Sequence, residues 1–261
     1  MNPPSSFDDA TRVEQVGETL FRADIPDGWQ QGRGAFGGLV VGLCLRALDA
    51  VREDPSRRLR TASAQIPSPV RVGETLLEVT PLRRGSGVDA MEVHLRQDGE
   101  VRARATGIFG RPRSDDVVDL PTPPDLPPVT EPLPMPPQFA AHFEMRNTGP
   151  LPFGGGPEGL VEGWVKPRLP FVAMGAPEIA CLCDVYWPAV FAQLTGFRPA
   201  ATLGFMLQTT PEAFGRAPDE IFFFRSRQLH AADGFSHELR ELWSDDGKLL
   251  ALNNQTFAII R

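Results

Sequence analysis

The chain has 261 residues, a formal net charge of −7 and 41% hydrophobic residues. That length fits one large domain or two of ordinary size, each able to bury a core. The acidic balance argues against nucleic acid or an anionic membrane surface as the partner. No apolar run is long enough to span a bilayer. The polar, Pro/Ser-rich start, Met1 to Asp9, has no basic stretch followed by an apolar one, so no secretion signal is expected. Cys44, Cys181 and Cys183 stand in apolar surroundings and form neither a metal-ligand set nor a disulfide framework. Neither metal nor other cofactor is expected, and the odd cysteine count fits a reducing cytoplasm.

In chain order, Glu18–Ile25 alternates as a strand. After a turn-rich segment, Phe36–Val51 is apolar nearly all round, the pattern of a helix wrapped by something else. Gly37 and Gly38 at its start either let a ligand approach bare backbone N–H groups or permit tight helix packing. Four strand patterns follow at Arg58–Ile66, Glu74–Arg83, Val88–Arg96 and Val101–Phe109, the last two joined by an Asp98-Gly99 hairpin signal. A proline-rich stretch ends this unit and reads as an extended linker. The boundaries predicted are an N-terminal unit over 1–113, a linker over 114–138 and a C-terminal unit over 139–261.

The second unit repeats the order. Strand patterns at Phe143–Arg146 and Leu160–Pro167 precede an apolar run around Asp184, which reads as the opening of a second buried helix. Strands at Ala201–Thr209, Glu220–Leu229, Ser236–Trp243 and Leu249–Ile260 follow. Asp98-Gly99 parallels Asp246-Gly247 at an offset of 148 (246 − 98), and Phe36 parallels Asp184 at the same offset (184 − 36). An antiparallel sheet curled on each helix, with the two sheets joined edge to edge, satisfies this pattern and buries both edges. The fold class expected is therefore α+β.

The copies differ where chemistry is concerned. Asp184 replaces Phe36, and Gln255 replaces Gly107. Asp184 among apolar residues is either a helix cap or a base in a dry pocket. Asn253-Asn254-Gln255-Thr256 interrupts an apolar strand, which marks a pocket or a bulge.

These residues carry a resemblance. Phe36-Gly37-Gly38-Leu39-Val40-Val41-Gly42, the Asp184 segment, Ala201-Thr202-Leu203, and Asp246-Gly247 leading to Gln255 make the chain resemble double-hotdog acyl-CoA thioesterases of the bacterial thioesterase II kind. The resemblance implies hydrolysis of an acyl-CoA, with Asp184 activating water and Thr202 and Gln255 holding it; Thr209 and Thr210 are the alternatives to Thr202. Backbone N–H groups at a helix start, in either copy, are the oxyanion candidates, with Gly37 and Gly38 the most accessible, and the acyl chain is expected against the apolar side chains Trp187, Phe191, Met206 and Phe205. Arg225 and Arg227 are candidates for the CoA phosphates. The resemblance also implies a homodimer or larger homo-oligomer. Pro67 and Pro69 depart from the family pattern, as does the missing acidic or His residue after Thr202. A hotdog hydratase or dehydratase, or a non-catalytic acyl-thioester binder, is the alternative. The absence of a Gly-x-Ser-x-Gly elbow disfavours a serine hydrolase.

Overall fold

The computed structural model describes residues 5–114, 121–133 and 137–260. The first half contains a one-turn helix α1 (Phe7–Ala10), strands β1 (Glu14–Gln15) and β2 (Leu20–Ile25), and a minimal hairpin of β3 (Gln30–Gln31) and β4 (Gly34–Ala35). Helix α2 (Gly37–Val51) follows, then β5 (Arg58–Gln65), β6 (Gly73–Arg84), β7 (Val88–Gln97) and β8 (Glu100–Gly110). The second half has β9 (Phe143–Asn147), β10 (Leu160–Pro167), helix α3 (Ala176–Leu182), β11 (Ala200–Thr209), β12 (Phe222–Ala232), β13 (Phe235–Ser244) and β14 (Leu249–Ile259).

All strands except the β3–β4 pair join one antiparallel sheet of 12 strands. Its order is symmetric about the β5–β11 pair: outward on one side run β8, β7, β6, β2 and β1, and on the other β14, β13, β12, β10 and β9. The halves therefore meet edge to edge, with Phe205 opposite Ala64 at the junction. This is a double hotdog. Helix α2 packs on β6, β7 and β8 and against α3. Its apolar faces are buried all round, from Leu39 and Val40 to Leu48, which is why its pattern lacks a polar stripe.

The second helix is not where the repeat placed it. It begins at Ala176, with Pro177 in its first turn and Glu178 Oε2 accepting from the Gly175 N–H at 2.9 Å. Proline is harmless in a first turn, where the N–H has no intrahelical acceptor. Asp184 lies one residue past the helix's terminal cap, Cys183. A helix opened by Asp184 would have to run through Pro188, whose ring would meet the Asp184 carbonyl and whose missing N–H breaks the ladder. Instead the chain turns and makes a short 3-10 helix, Ala189–Ala192. The helices start 139 residues apart (176 − 37). The offset of 148 does hold in the closing strands: Gly107 lies between Ala62 and Met91, and Gln255 between Phe205 and Glu238.

The hairpins also differ. Asp98 and Gly99 both take positive φ, 53° and 78°, a primed two-residue turn. Asp233 and Gly234 do the same between β12 and β13. At Asp246-Gly247 only the glycine is left-handed, and the loop closes from Ser244 to Lys248.

The connection between the halves is extended and docked. Residues 115–120 and 134–136 of it lie outside the described residues. Along 121–133, the Pro127 carbonyl accepts from Trp164 Nε1 at 3.0 Å and the Thr130 carbonyl from Arg146 at 2.6 Å. Leu126 packs on Trp164, Phe223 and Trp243. These three aromatics form a row across β10, β12 and β13. The row faces away from α3, and the docked strap keeps that large apolar patch from solvent.

Candidate active site

Asp184 is pinned by its neighbours. Two residues on, the Tyr186 ring stacks on Phe224 with centroids 5.0 Å apart, and its hydroxyl donates to the Trp164 carbonyl at 2.9 Å. Residue 163 is glycine there because a Cβ would run into the Tyr186 hydroxyl. Beyond Pro188, the Ala189 N–H donates to Glu238 Oε2 at 2.7 Å.

The carboxylate points out of its own segment toward the N-terminus of α2, in the other half. A Cβ on Gly37 would sit 2.6 Å from Asp184 Oδ2 and 3.6 Å from Thr202 Oγ1. The Asp184 carboxylate thus packs against Gly37, where no side chain is in the way, with the Thr202 hydroxyl nearby. Gly38 serves packing as well: a Cβ there would meet the Phe36 ring and lie 3.0 Å from Cys181 Cα. The Leu39 and Val40 N–H groups donate to the Phe36 carbonyl; the Gly37 and Gly38 N–H groups have no intrahelical acceptor, and the Gly38 N–H serves the Asp184 carboxylate.

Asp184 Oδ1 is engaged twice. It accepts from Gln255 Nε2 at 2.8 Å and from Arg240 Nη1 at 3.2 Å. No side chain among the described residues donates to Oδ2. Gln255 Nε2 also reaches Asn253 Oδ1 at 2.8 Å, while Gln255 Oε1 is buried without a partner. Arg240 donates from Nε to Glu238 Oε1 at 2.5 Å and from Nη1 to the Cys183 carbonyl at 3.0 Å. Sequence reasoning missed Glu238 and Arg240, while Asn253 lies in the polar interruption that it marked. Charges occupy both parities of β13, so alternation gave no signal for which ones turn inward.

Burial pushes the Asp184 carboxyl up to about 6, against the downward pull of Arg240, the Gln255 amide and the Gly38 N–H. Burial also raises the Cys181 and Cys183 thiols, so neither is a ready thiolate nucleophile.

Thr202 reaches the site through a bulge. Phe257 and Gln255, two apart and both buried, face the helices. Their partners on β11, Thr202 and Phe205, are three apart. Leu203 is the extra residue, and it turns Thr202 to the same face as Phe205. Thr209 and Thr210 instead donate to the Leu59 and Leu249 carbonyls, at 2.5 and 2.6 Å.

The other expected contacts divide. Trp187 and Phe191 are buried in the segment that carries Asp184, Phe191 against Phe153 with centroids 5.0 Å apart. Met206 is not brought to the cluster. It alternates with buried Phe205 and Leu207, so it projects from the opposite face of the sheet and is 43% exposed. Arg225 and Arg227 pair with Glu162 and Glu241. None of the four histidines touches Asp184: His142 stacks on Trp29 at 3.8 Å, His94 lies beside Glu92, and His230 and His237 face each other.

Solved structures share the fold across nearly the whole chain. A hot dog fold protein of unknown function from Alicyclobacillus acidocaldarius superposes with a TM-score of 0.90 at 24% identity, covering 98% of each chain. An acyl-CoA thioesterase II from Mycobacterium marinum gives a TM-score of 0.78 at 18% identity, covering 97% of this chain and 96% of its own. The tesB protein of Mycobacterium avium subs paratuberculosis gives 0.78 at 19%, covering 97% of both chains. No curated protein sequence matches. A sequence model described as the acyl-CoA thioesterase N-terminal domain matches residues 25–110, and one described as the C-terminal domain matches residues 116–259. Both halves are thereby accounted for, and the chain belongs to the acyl-CoA thioesterase family of thioester-hydrolysing enzymes.

Proposed function

We propose that the enzyme hydrolyses acyl-CoA with Asp184 as general base. One observation carries this: Asp184 Oδ1 is held by two side-chain donors, while Oδ2, which none of them reaches, lies against Gly37 on the side of the Thr202 hydroxyl. A water there is oriented by Thr202 and gives its proton to Oδ2 as its oxygen bonds to the thioester carbon. The carbonyl oxygen becomes an oxyanion, stabilised by the Gly37 N–H at the positive end of α2. The intermediate collapses by breaking the C–S bond, and the leaving CoA thiolate takes the proton from Asp184. A carboxyl that titrates near 6 is mostly ionised at neutral pH yet basic enough to take a proton in the transition state. Trp187 and Phe191 offer the acyl chain an apolar wall. Met206 belongs to a different surface and is left out of this role.

A hydratase would want an acid–base histidine, and the histidines lie elsewhere among the described residues. The assay is release of free thiol from acyl-CoAs of graded chain length, with Thr202→Ala and Gln255→Ala beside wild type. Turnover that falls at least tenfold in both variants supports the reading. Binding of acyl-CoA without turnover by wild type replaces it with a binder. No helix of the described residues is long and apolar enough to cross a membrane. We propose a homodimer or larger homo-oligomer working in a reducing cytoplasm, consistent with three free cysteines; sedimentation of purified protein reads the assembly.

A further inference from the structure

Arg240 and Glu238 form an ion pair inside the core, each side chain fully buried. The Arg240 guanidinium lies between the Phe224 and Phe257 rings, 5.5 and 5.1 Å from their centroids, and its Nη2 has no partner. Burying such a pair rarely helps stability compared with apolar residues of like size. The first half supplies an internal control. Gln255 corresponds to Gly107 and Asn253 to Ala105 at the offset of 148. Across the next strand, Glu238 then corresponds to Met91 and Arg240 to Val93. Met91 and Val93 are buried apolar residues. The fold closes this place without ions when no carboxylate stands at the helix mouth, so the ions answer to Asp184 and not to the sheet.

We propose that Arg240, held by Glu238, is the positioning residue of this site: it fixes Asp184 through Oδ1, so that Oδ2 alone is presented to water. The inference rests on Asp184 being the base. Glu238 orients Arg240 through one oxygen and anchors the Asp184 segment through the other, at the Ala189 N–H. Gln255 shares Oδ1, so the carboxylate is gripped from β13 and β14 at once. The groups facing Asp184 are Arg240 and Glu238 on β13, Gln255 and Asn253 on β14, Thr202 on β11, the Gly37 and Gly38 N–H groups on α2, and the Cys181 and Cys183 thiols beside it. Of the two formal charges, Arg240 favours the ionised carboxyl and Glu238 opposes it.

The two charges therefore give opposite signatures, which a merely structural role does not. The experiment measures kcat/KM against pH from 4.5 to 9 for wild type, Glu238→Gln, Arg240→Lys and Arg240→Met, with NMR titration of the Asp184 side-chain carboxyl in the same proteins. Glu238→Gln moves the acid limb to lower pH. Arg240→Met moves it up by about one unit or more, the scale of losing an adjacent opposite charge. Arg240→Lys keeps the midpoint and loses kcat with KM unchanged. An unmoved carboxyl titration, or a shift of both variants in one direction, overturns the proposal. Should Arg240→Met not fold, Glu238→Gln alone still decides by its sign. A carboxyl that shifts as stated while the activity limb stays put leaves the positioning intact and removes Asp184 as the base.

Discussion

Gly37→Ala is the smallest change that reaches the proposed water site. The new methyl would sit 2.6 Å from Asp184 Oδ2 and 3.6 Å from Thr202 Oγ1. Contact between carbon and oxygen needs more than 3 Å, so one group must give. The carboxylate is held on its other oxygen by Gln255 at 2.8 Å and Arg240 at 3.2 Å. Turning it away costs one of those charge-assisted bonds, about 1.5–3 kcal/mol. The backbone partly offsets this, because alanine in a helix is about 1 kcal/mol better than glycine. Net destabilisation is therefore modest, about 0–2 kcal/mol, readable as a small shift in Tm. Activity changes far more. The methyl pushes aside the Oδ2 that takes the proton, and kcat/KM falls by about 10²-fold or more, on the scale of losing a positioned general base. Thermal melts and thiol release on the same preparation separate the two effects. A folded Gly37→Ala enzyme within threefold of wild-type kcat/KM would refute the placement of water at Oδ2.

Three further outcomes follow from the same geometry. The folded Asp184 carboxyl titrates near 6 against an ordinary 3.8; the protonated form is favoured by folding, so its stabilisation is present below about 4 and lost as pH rises through 6. Wild type should lose about 3 kcal/mol relative to Asp184→Asn between those limits, and a Tm difference that stays constant with pH contradicts the burial. Deleting Leu203 removes the bulge and leaves Thr202 two positions from Phe205, on the same inner face; thiol release should stay within about threefold of wild type with circular dichroism unchanged, whereas adding Thr202→Ala to the deletion should cost at least tenfold, and equal turnover of the two variants removes Thr202 from the site. Gly163→Ala forces a Cβ into the Tyr186 hydroxyl and to 2.7 Å from the Arg146 carbonyl; chemical denaturation should show a loss of about 2 kcal/mol or more, and a neutral result means Tyr186 does not pin the segment.

The strands were legible because half-buried antiparallel strands alternate, and the closing strands of the two halves kept a common register. The one-sheet architecture followed from that repeat and from the edges it would bury. Asp184 and Gln255 stood out because a polar residue in an apolar run needs a buried partner, and each is the other's. The second helix was misplaced because the repeat was trusted past its range: Pro177 and Glu178 mark a helix start, and Pro188 forbids one at Asp184. Thr202 rested on resemblance, since a bulge at Leu203 leaves no trace in a pattern of period two. Met206 was put on the site face for its apolar character, although its parity with Phe205 and Leu207 sends it to the other side. Arg240 and Glu238 were illegible because β13 carries charge on both faces, and only the strand pairing shows which charges turn inward. The docking of the proline-rich strap depends on Leu126 meeting aromatics from three strands, a relation that local sequence does not encode.

In the proposed mechanism the Asp184 carboxylate takes the proton from water. The most direct test is thiol release by Asp184→Asn at pH 8, where the wild-type carboxyl is ionised and the amide keeps its shape without a basic oxygen. A loss of about 10²-fold or more in kcat is expected, with the variant folded and acyl-CoA still bound. Turnover within threefold of wild type would contradict it and return Asp184 to the role of a buried partner for Arg240.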